Sequence, residues 1–198
     1  LTHERFGVYP YRALENLIRT LEFVGRREDA LLYSEKMLNT ARNLWGESSK
    51  QFLEARRLYM RSVQAVNQED PRLLSFFEED YKKTKINFGK FDARNEQTYL
   101  AIVNLASHYH LLGLYEKAEK LQIEFIKYWS NLDEHWQIKQ SIYGKKRLAG
   151  TYLAQAKYSQ AKPLIEDTLK FWNKDGDSGQ LLTAHLTLAL INLHQNEK

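Results

Sequence analysis

The chain repeats itself, and a repeat constrains a fold more tightly than any single motif. Gly25 stands between "ALENLIRTLEFV" and "RREDALLYSEKML", Gly113 between "AIVNLASHYHLL" and "LYEKAEKLQIEFI", and Ala156 between "KKRLAGTYLAQ" and "KYSQAKPLIEDTL". Each is an apolar segment, a tight turn at a small residue, and a second segment that opens polar and carries an alanine. Positions 113 and 156 are 43 apart, and positions 25 and 113 are 88 apart, which leaves room for one more unit. That unit is "EARRLYMRSVQAVNQEDPRLLSFFEEDYKKTKI", turning at Asn67-Gln68-Glu69-Asp70-Pro71. A fifth begins at "LLTAHLTLALINLHQNEK". The turns thus fall near 25, 68, 113, 156 and 196.

Both halves of a unit have helical periodicity. Leu14, Leu17, Ile18, Leu21 and Val24 recur at i, i+3, i+4 and i+7, as do Ile102, Leu105, Ala106, Tyr109 and Leu112. The second halves show Leu121, Phe125 and Tyr128, then Leu164, Ile165, Leu169 and Trp172. No stretch alternates as a strand would. Three prolines and nine glycines in 198 residues suit long helices rather than the many turns of a β-fold. Pro71 fits the first turn of a helix, where its missing N–H has no partner to lose. Pro163 lies near the first turns of another helix, where it is tolerated with a slight kink. Nine helices are expected, in four antiparallel pairs plus one.

Six residues recur at fixed offsets: Leu105, Ala106, Tyr109, Gly113, Tyr115 and Ala118 in the third unit, and Leu148, Ala149, Tyr152, Ala156, Tyr158 and Ala161 in the fourth. The first unit keeps Leu17, Gly25 and Ala30, with Leu21 and Arg27 in the tyrosine places; the fifth keeps Leu188 and Ala189. The second departs furthest, with Met60, Arg61, Gln64 and Leu73 in the signature places. This pattern resembles the tetratricopeptide repeat (TPR) over nearly the whole chain. A spacing of 43 against that family's usual 34, with "LWGESS" and "NFGKFD" closing two units, resembles the kinesin-light-chain and nephrocystin type.

The resemblance implies an all-α fold: an α-α superhelix (TPR-like solenoid) of about four helical pairs plus one extra helix. It implies one domain over residues 1–198, with units of about 10–46, 49–89, 93–132, 136–174 and 178–198. Ala and Gly would let paired helices approach closely, and the tyrosines would fill the gap to the next pair while keeping a hydroxyl for a partner. First helices would line a concave face that holds a peptide or partner helix. The expected function is a protein-interaction scaffold. A structural spacer, an oligomerisation segment or the regulatory sensor arm of a larger protein is the alternative.

Composition narrows the partners. Net charge is +4, and the basic pairs at 26–27, 56–57, 82–83 and 145–146 are scattered, whereas nucleic-acid binding wants a concentrated stripe. No apolar run approaches the roughly 20 residues that span a bilayer. No cysteine is present, which excludes disulfides and thiolate metal sites and fits a reducing, cytoplasmic setting. The chain begins with Leu1 rather than Met and reads as an excised piece of a longer protein. Neither nucleic acid nor membrane is therefore expected as a partner. "LLTAHLTLALINL" is strongly apolar and lacks a partner helix, so self-association through this terminal helix is a further expectation.

His108-x-His110 is the one arrangement that suggests a metal. Helical ligands belong at i and i+4, whereas residues two apart point about 200° away from each other. One histidine is therefore expected to pack and the other to be exposed. The remaining histidines lack ligand spacing to these two. No Ser-His-Asp order, phosphate loop or HExxH occurs, and "GKK" at 144–146 lacks the glycines and spacing of a P-loop. Glu78-Glu79-Asp80 reads as solvated helix surface or helix-start charge. No catalysis, cofactor or metal is expected.

What the resemblance implies instead is a ligand face at certain first-helix offsets. Asn104, Ser107 and His110 occupy them in the third unit, and Tyr143, Lys146 and Arg147 in the fourth. Asn104 and Arg147 match two positions of the carboxylate clamp with which some family members hold a chaperone's acidic C-terminus. Leu58, Ser62 and Tyr143 stand where that clamp has Lys, Asn and Lys, so it is incomplete. Asn104, Lys146 and Arg147 would bond a peptide backbone or an acidic side chain, flanked by Tyr143 and His110.

Overall fold

A computed structural model describes residues 2–88, 96–130 and 134–196. Among these the fold is all-α: α1 (Thr2–Phe23), α2 (Arg27–Trp45), α3 (Lys50–Val66), α4 (Pro71–Phe88), α5 (Glu96–Leu111), α6 (Tyr115–Trp129), α7 (His135–Ala154), α8 (Tyr158–Asp175) and α9 (Ser178–Asn196). "NFGKFD" lies mostly outside the described residues. The chain forms two compact units, Leu1–Phe76 and Phe77–Lys198. In the first, α1 packs on α2 and α2 on α3. In the second, α5 through α9 pack in succession. No helix among the described residues is long and apolar enough to cross a membrane.

Three of the turns are one structure. The N–H of the residue after the small one reaches back to a carbonyl in the last helical turn: Arg26 to Leu21 at 2.8 Å, Leu114 to Tyr109 at 2.8 Å, Lys157 to Tyr152 at 2.9 Å. A second bond joins the small residue itself to Glu22, His110 or Leu153. This Schellman arrangement needs a left-handed residue, and Gly25, Gly113 and Ala156 all have positive φ. Ala156, at φ 55°, does so with a Cβ that glycine would not have to accommodate.

The turn between α3 and α4 is different, and the difference corrects the sequence register. It runs over four residues, Asn67 to Asp70, where the others run over three. Asn67 is extended rather than left-handed, and its N–H bonds Val63. Asp70 accepts from the Arg72 backbone N–H at 2.9 Å, and Pro71 is the first helical residue, as expected. Arg72 also grips the Asp70 carboxylate through its guanidinium, which brings the Asp70 pKa down to about 2. Counted from Asn67, the signature places of α3 hold Tyr59, Met60 and Val63, not Met60, Arg61 and Gln64. Tyr59 and Val63 are buried and Arg61 is exposed, as this register requires. Leu73 does take the alanine place and is fully buried. In α1 the apolar stripe is only partly used: Ile18 and Leu21 are buried, whereas Leu17 and Val24 are largely exposed.

With the turns so aligned, α1, α3, α5 and α7 have a small residue twelve positions before their turns, Ala13, Ala55, Ala101 and Gly144, and Ala184 takes a like place in α9. The last four are buried. Gly144 shows why the place is small. A Cβ there would come within 2.8 Å of Phe125 and 2.9 Å of Ile126, both on α6. Ala184 lies in the core formed by α7, α8 and α9 with Ala149, Ala161, Ile165 and Ile191. The tyrosines behave as the pattern implied. Tyr109 donates its hydroxyl to Glu78 of α4 at 2.6 Å, and Tyr152 to Glu119 of α6 at 3.4 Å. Glu78 is therefore an acceptor in the packing rather than free surface charge, and the three acids lie in the middle of α4, not at its start.

Two substitutions test this packing. Ala156→Gly relieves the left-handed alanine and should raise unfolding free energy by about 1 kcal/mol in chemical denaturation. Gly144→Val overfills the α6–α7 contact and should lower it by about 1–3 kcal/mol.

Candidate binding face on the first helices

The six singled-out residues all lie in the second compact unit, on α5 and α7. Their surroundings divide them. Asn104, Ser107 and Arg147 are exposed, and their side chains have no hydrogen-bond partner among the described residues. His110, Tyr143 and Lys146 are half-buried and already engaged. Lys146 Nζ donates to Gln180 Oε1 of α9 at 2.8 Å. Tyr143 leans its ring on Trp172 of α8, with centroids 5.3 Å apart. His110 Nδ1 is 3.0 Å from Thr151 Oγ1 of α7, and its ring meets Tyr115 edge-on. Thr151 also donates to the Arg147 carbonyl at 3.3 Å. A short polar chain thus ties α5 to the turn of α7 that carries Arg147.

The histidine pair divides differently from the expectation. His108 is 2% exposed, as a packed residue should be, and meets Phe77 edge-on. Neither of its ring nitrogens has a partner. His110 is not free at the surface but built into the α5–α7 contact. Burial pushes the pKa of both imidazoles below the ordinary value of 6.5, so both are neutral at neutral pH. Leu58 and Ser62, set against the clamp, are both buried and present nothing to a ligand. No group of three or more metal-ligating side chains occurs among the described residues.

Charge is segregated by helix. α7 carries Lys139, Lys145, Lys146 and Arg147 and no acid; α9 carries no charged side chain apart from histidine; α5 has only Glu96. Acids sit on α6 and α8. Lys139 and Lys145 turn toward α8 and pair with Asp175 at 3.0 Å and Asp167 at 2.8 Å. Lys146 and Arg147 are left without a carboxylate. On α5, Leu100 and Leu111 are exposed and Val103 is half-buried.

Thr151, Gln180 and Glu78 were not legible as partners, because each is paired across about 30 to 40 positions of sequence. One signal was available. The place five before the turn holds Ser62, His108 and Thr151, all buried and polar, and a polar residue recurring on an apolar stripe marks a specific contact.

The neutral histidines give a signed pH dependence. Their folded pKa values lie below the unfolded one. The stability they represent is fully present above about pH 6.5 and is lost as pH falls through the folded values. The melting temperature should drop between neutral pH and about pH 5, and drop less in His108→Thr, measured by circular dichroism.

No protein-family model matches the chain, and no curated protein matches it. Solved structures do. Two crystal structures from Podosopora anserina, described as kinesin light chain with nearly identical TPR-like repeats, superpose on 94% of this chain and 87% of theirs. The first has a TM-score of 0.69 at 18% identity; the second, a single-substitution variant, has 0.70 at 17%. The chain therefore has an all-α, TPR-like helical-repeat fold.

Proposed function

We propose that the chain is a protein-interaction scaffold, one TPR-like domain that holds an acidic, partly apolar peptide against the outward face of α5 and α7. A TPR-like fold suggests a protein-binding role in general. The observation that carries the finer reading is the pair Lys146 and Arg147, without a carboxylate partner, on α7, a helix without acids. A peptide carboxylate would meet Arg147 in a charge-assisted bond, and Asn104 would bond the peptide backbone. Ser107 and His110 flank that path on α5, and Tyr143 flanks it on α7. Binding rather than catalysis is the role assigned to these residues, with no cofactor, and a cysteine-free chain suits the cytoplasm.

Fluorescence anisotropy with an acidic peptide library tests it. Arg147→Glu combined with Asn104→Ala should weaken binding by at least about tenfold with the helical signal unchanged, and added salt should weaken wild-type binding. Affinity unchanged by the double substitution would move the ligand off this face.

A second reading, self-association through α9, is favoured by one observation. Leu182, Leu186, Leu190 and Leu193 form a stripe that is 62, 63, 47 and 56% exposed, on a helix whose opposite side is buried.

A further inference from the structure

α7 contains two glycines, and the packing of this chain explains only one of them. A Cβ at Gly144 would come within 2.8 Å of Phe125 and 2.9 Å of Ile126, so the α6 side chains require its absence. Gly150 is different. It lies inside α7 in ordinary helical backbone and is not among the glycines with positive φ. A Cβ built on it meets nothing within 4 Å. Neither backbone conformation nor internal space calls for glycine here.

The repeat does not call for it either. Gly150 stands six positions before its turn, and the same place is Arg19 in α1, Arg61 in α3 and Ser107 in α5. All three are exposed, so the place faces outward and accepts side chains as long as arginine. Glycine is the least favoured residue in a helix interior after proline, because it gives up the most backbone freedom on folding. α7 therefore carries a cost at Gly150 that no contact inside the chain offsets.

Its neighbours show what the bare backbone lies beside. Arg147 and Lys146 precede Gly150 by three and four residues, the spacing that puts side chains on one helical face. Arg147 is exposed, and neither residue has a carboxylate partner among the described residues. The next residue, Thr151, is fully buried and lies 3.0 Å from the His110 ring of α5, which fixes this turn of α7 against α5.

We propose that Gly150 is a specificity-determining position of the face formed by α5 and α7: the chain of an acidic peptide held at Arg147 crosses α7 over Gly150, in direct contact with bare helix backbone. The proposal rests on the acidic-peptide reading and adds where that peptide lies closest to the protein. Absence of a Cβ is what allows a ligand's backbone so near. A side chain at this place would hold the peptide off and stretch its bonds to Arg147 and Asn104.

Stability and affinity should therefore move in opposite directions, which a residue that only shapes the fold would not do. Gly150→Ala and Gly150→Gln each install a better helix former and add no charge. Both should keep the wild-type circular dichroism and raise the melting temperature by about 2–4 °C. The affinity probe is a fluorescein-labelled acidic peptide, chosen from the library by its binding to wild type and titrated by anisotropy. Gly150→Ala should bind it more weakly, and Gly150→Gln at least about tenfold more weakly. The lost contact is uncharged, so both variants should keep the wild-type salt dependence, whereas Arg147→Glu/Asn104→Ala should flatten it. If both glycine variants bind as tightly as wild type while Arg147→Glu/Asn104→Ala is weakened, the contact at Gly150 is overturned and the acidic-peptide face stands. If the double variant also binds as wild type, or no acidic peptide binds wild type, that face falls and the contact at Gly150 with it. A lowered melting temperature in Gly150→Ala overturns the proposal as well, because the glycine would then serve packing inside the chain.

Discussion

A helix can lie flat on the one before it only where its backbone is allowed to come close. In this chain that permission is a residue with almost no side chain, twelve positions before each turn. At Gly144 the α6 side chains already occupy the space a methyl would need. At Ala184 the methyl fits and completes a core. Close approach then brings the neighbouring positions into register: Tyr109 and Tyr152 reach acids on the preceding helix, and Glu22 and His110, three before their turns, reach the next first helix. Losing the small residue would separate these contacts together, because packed interiors have no slack to absorb added volume.

The turns make this approach repeatable. A three-residue Schellman turn fixes where the second helix starts relative to the first. Where the chain inserts a fourth residue, between Asn67 and Asp70, the register changes and a different capping scheme takes over. Buried slots inside the second compact unit are filled with whatever chemistry the local partner allows, a histidine without partners at His108 and a bonded hydroxyl at Thr151. Outward positions are freed from packing, and there Asn104, Ser107 and Arg147 are exposed without hydrogen-bond partners among the described residues.

Function in such a fold comes from what packing leaves over. Lys139 and Lys145 are used up by acids on α8, and Lys146 and Arg147 are not. The same accounting applied to the apolar positions leaves the α9 leucines. One surplus is electrostatic; the other is apolar.

The sequence by itself determined the fold class, the order of the helices among the described residues, and the turns at 25, 113 and 156. Period, apolar spacing and small turn residues are local properties, and helices of 15 to 22 residues record them directly. It also showed that two histidines two apart on a helix point away from each other. Only the tertiary structure decided the register of α3, because one extra loop residue shifts every buried slot without altering the helical period. It alone decided that His110 belongs to the α5–α7 contact, that Glu78 serves Tyr109, and which lysines of α7 are spent. Those outcomes depend on side chains that meet across about 30 to 40 residues of intervening chain. Periodicity says that a face is buried, and only the folded neighbour says against what.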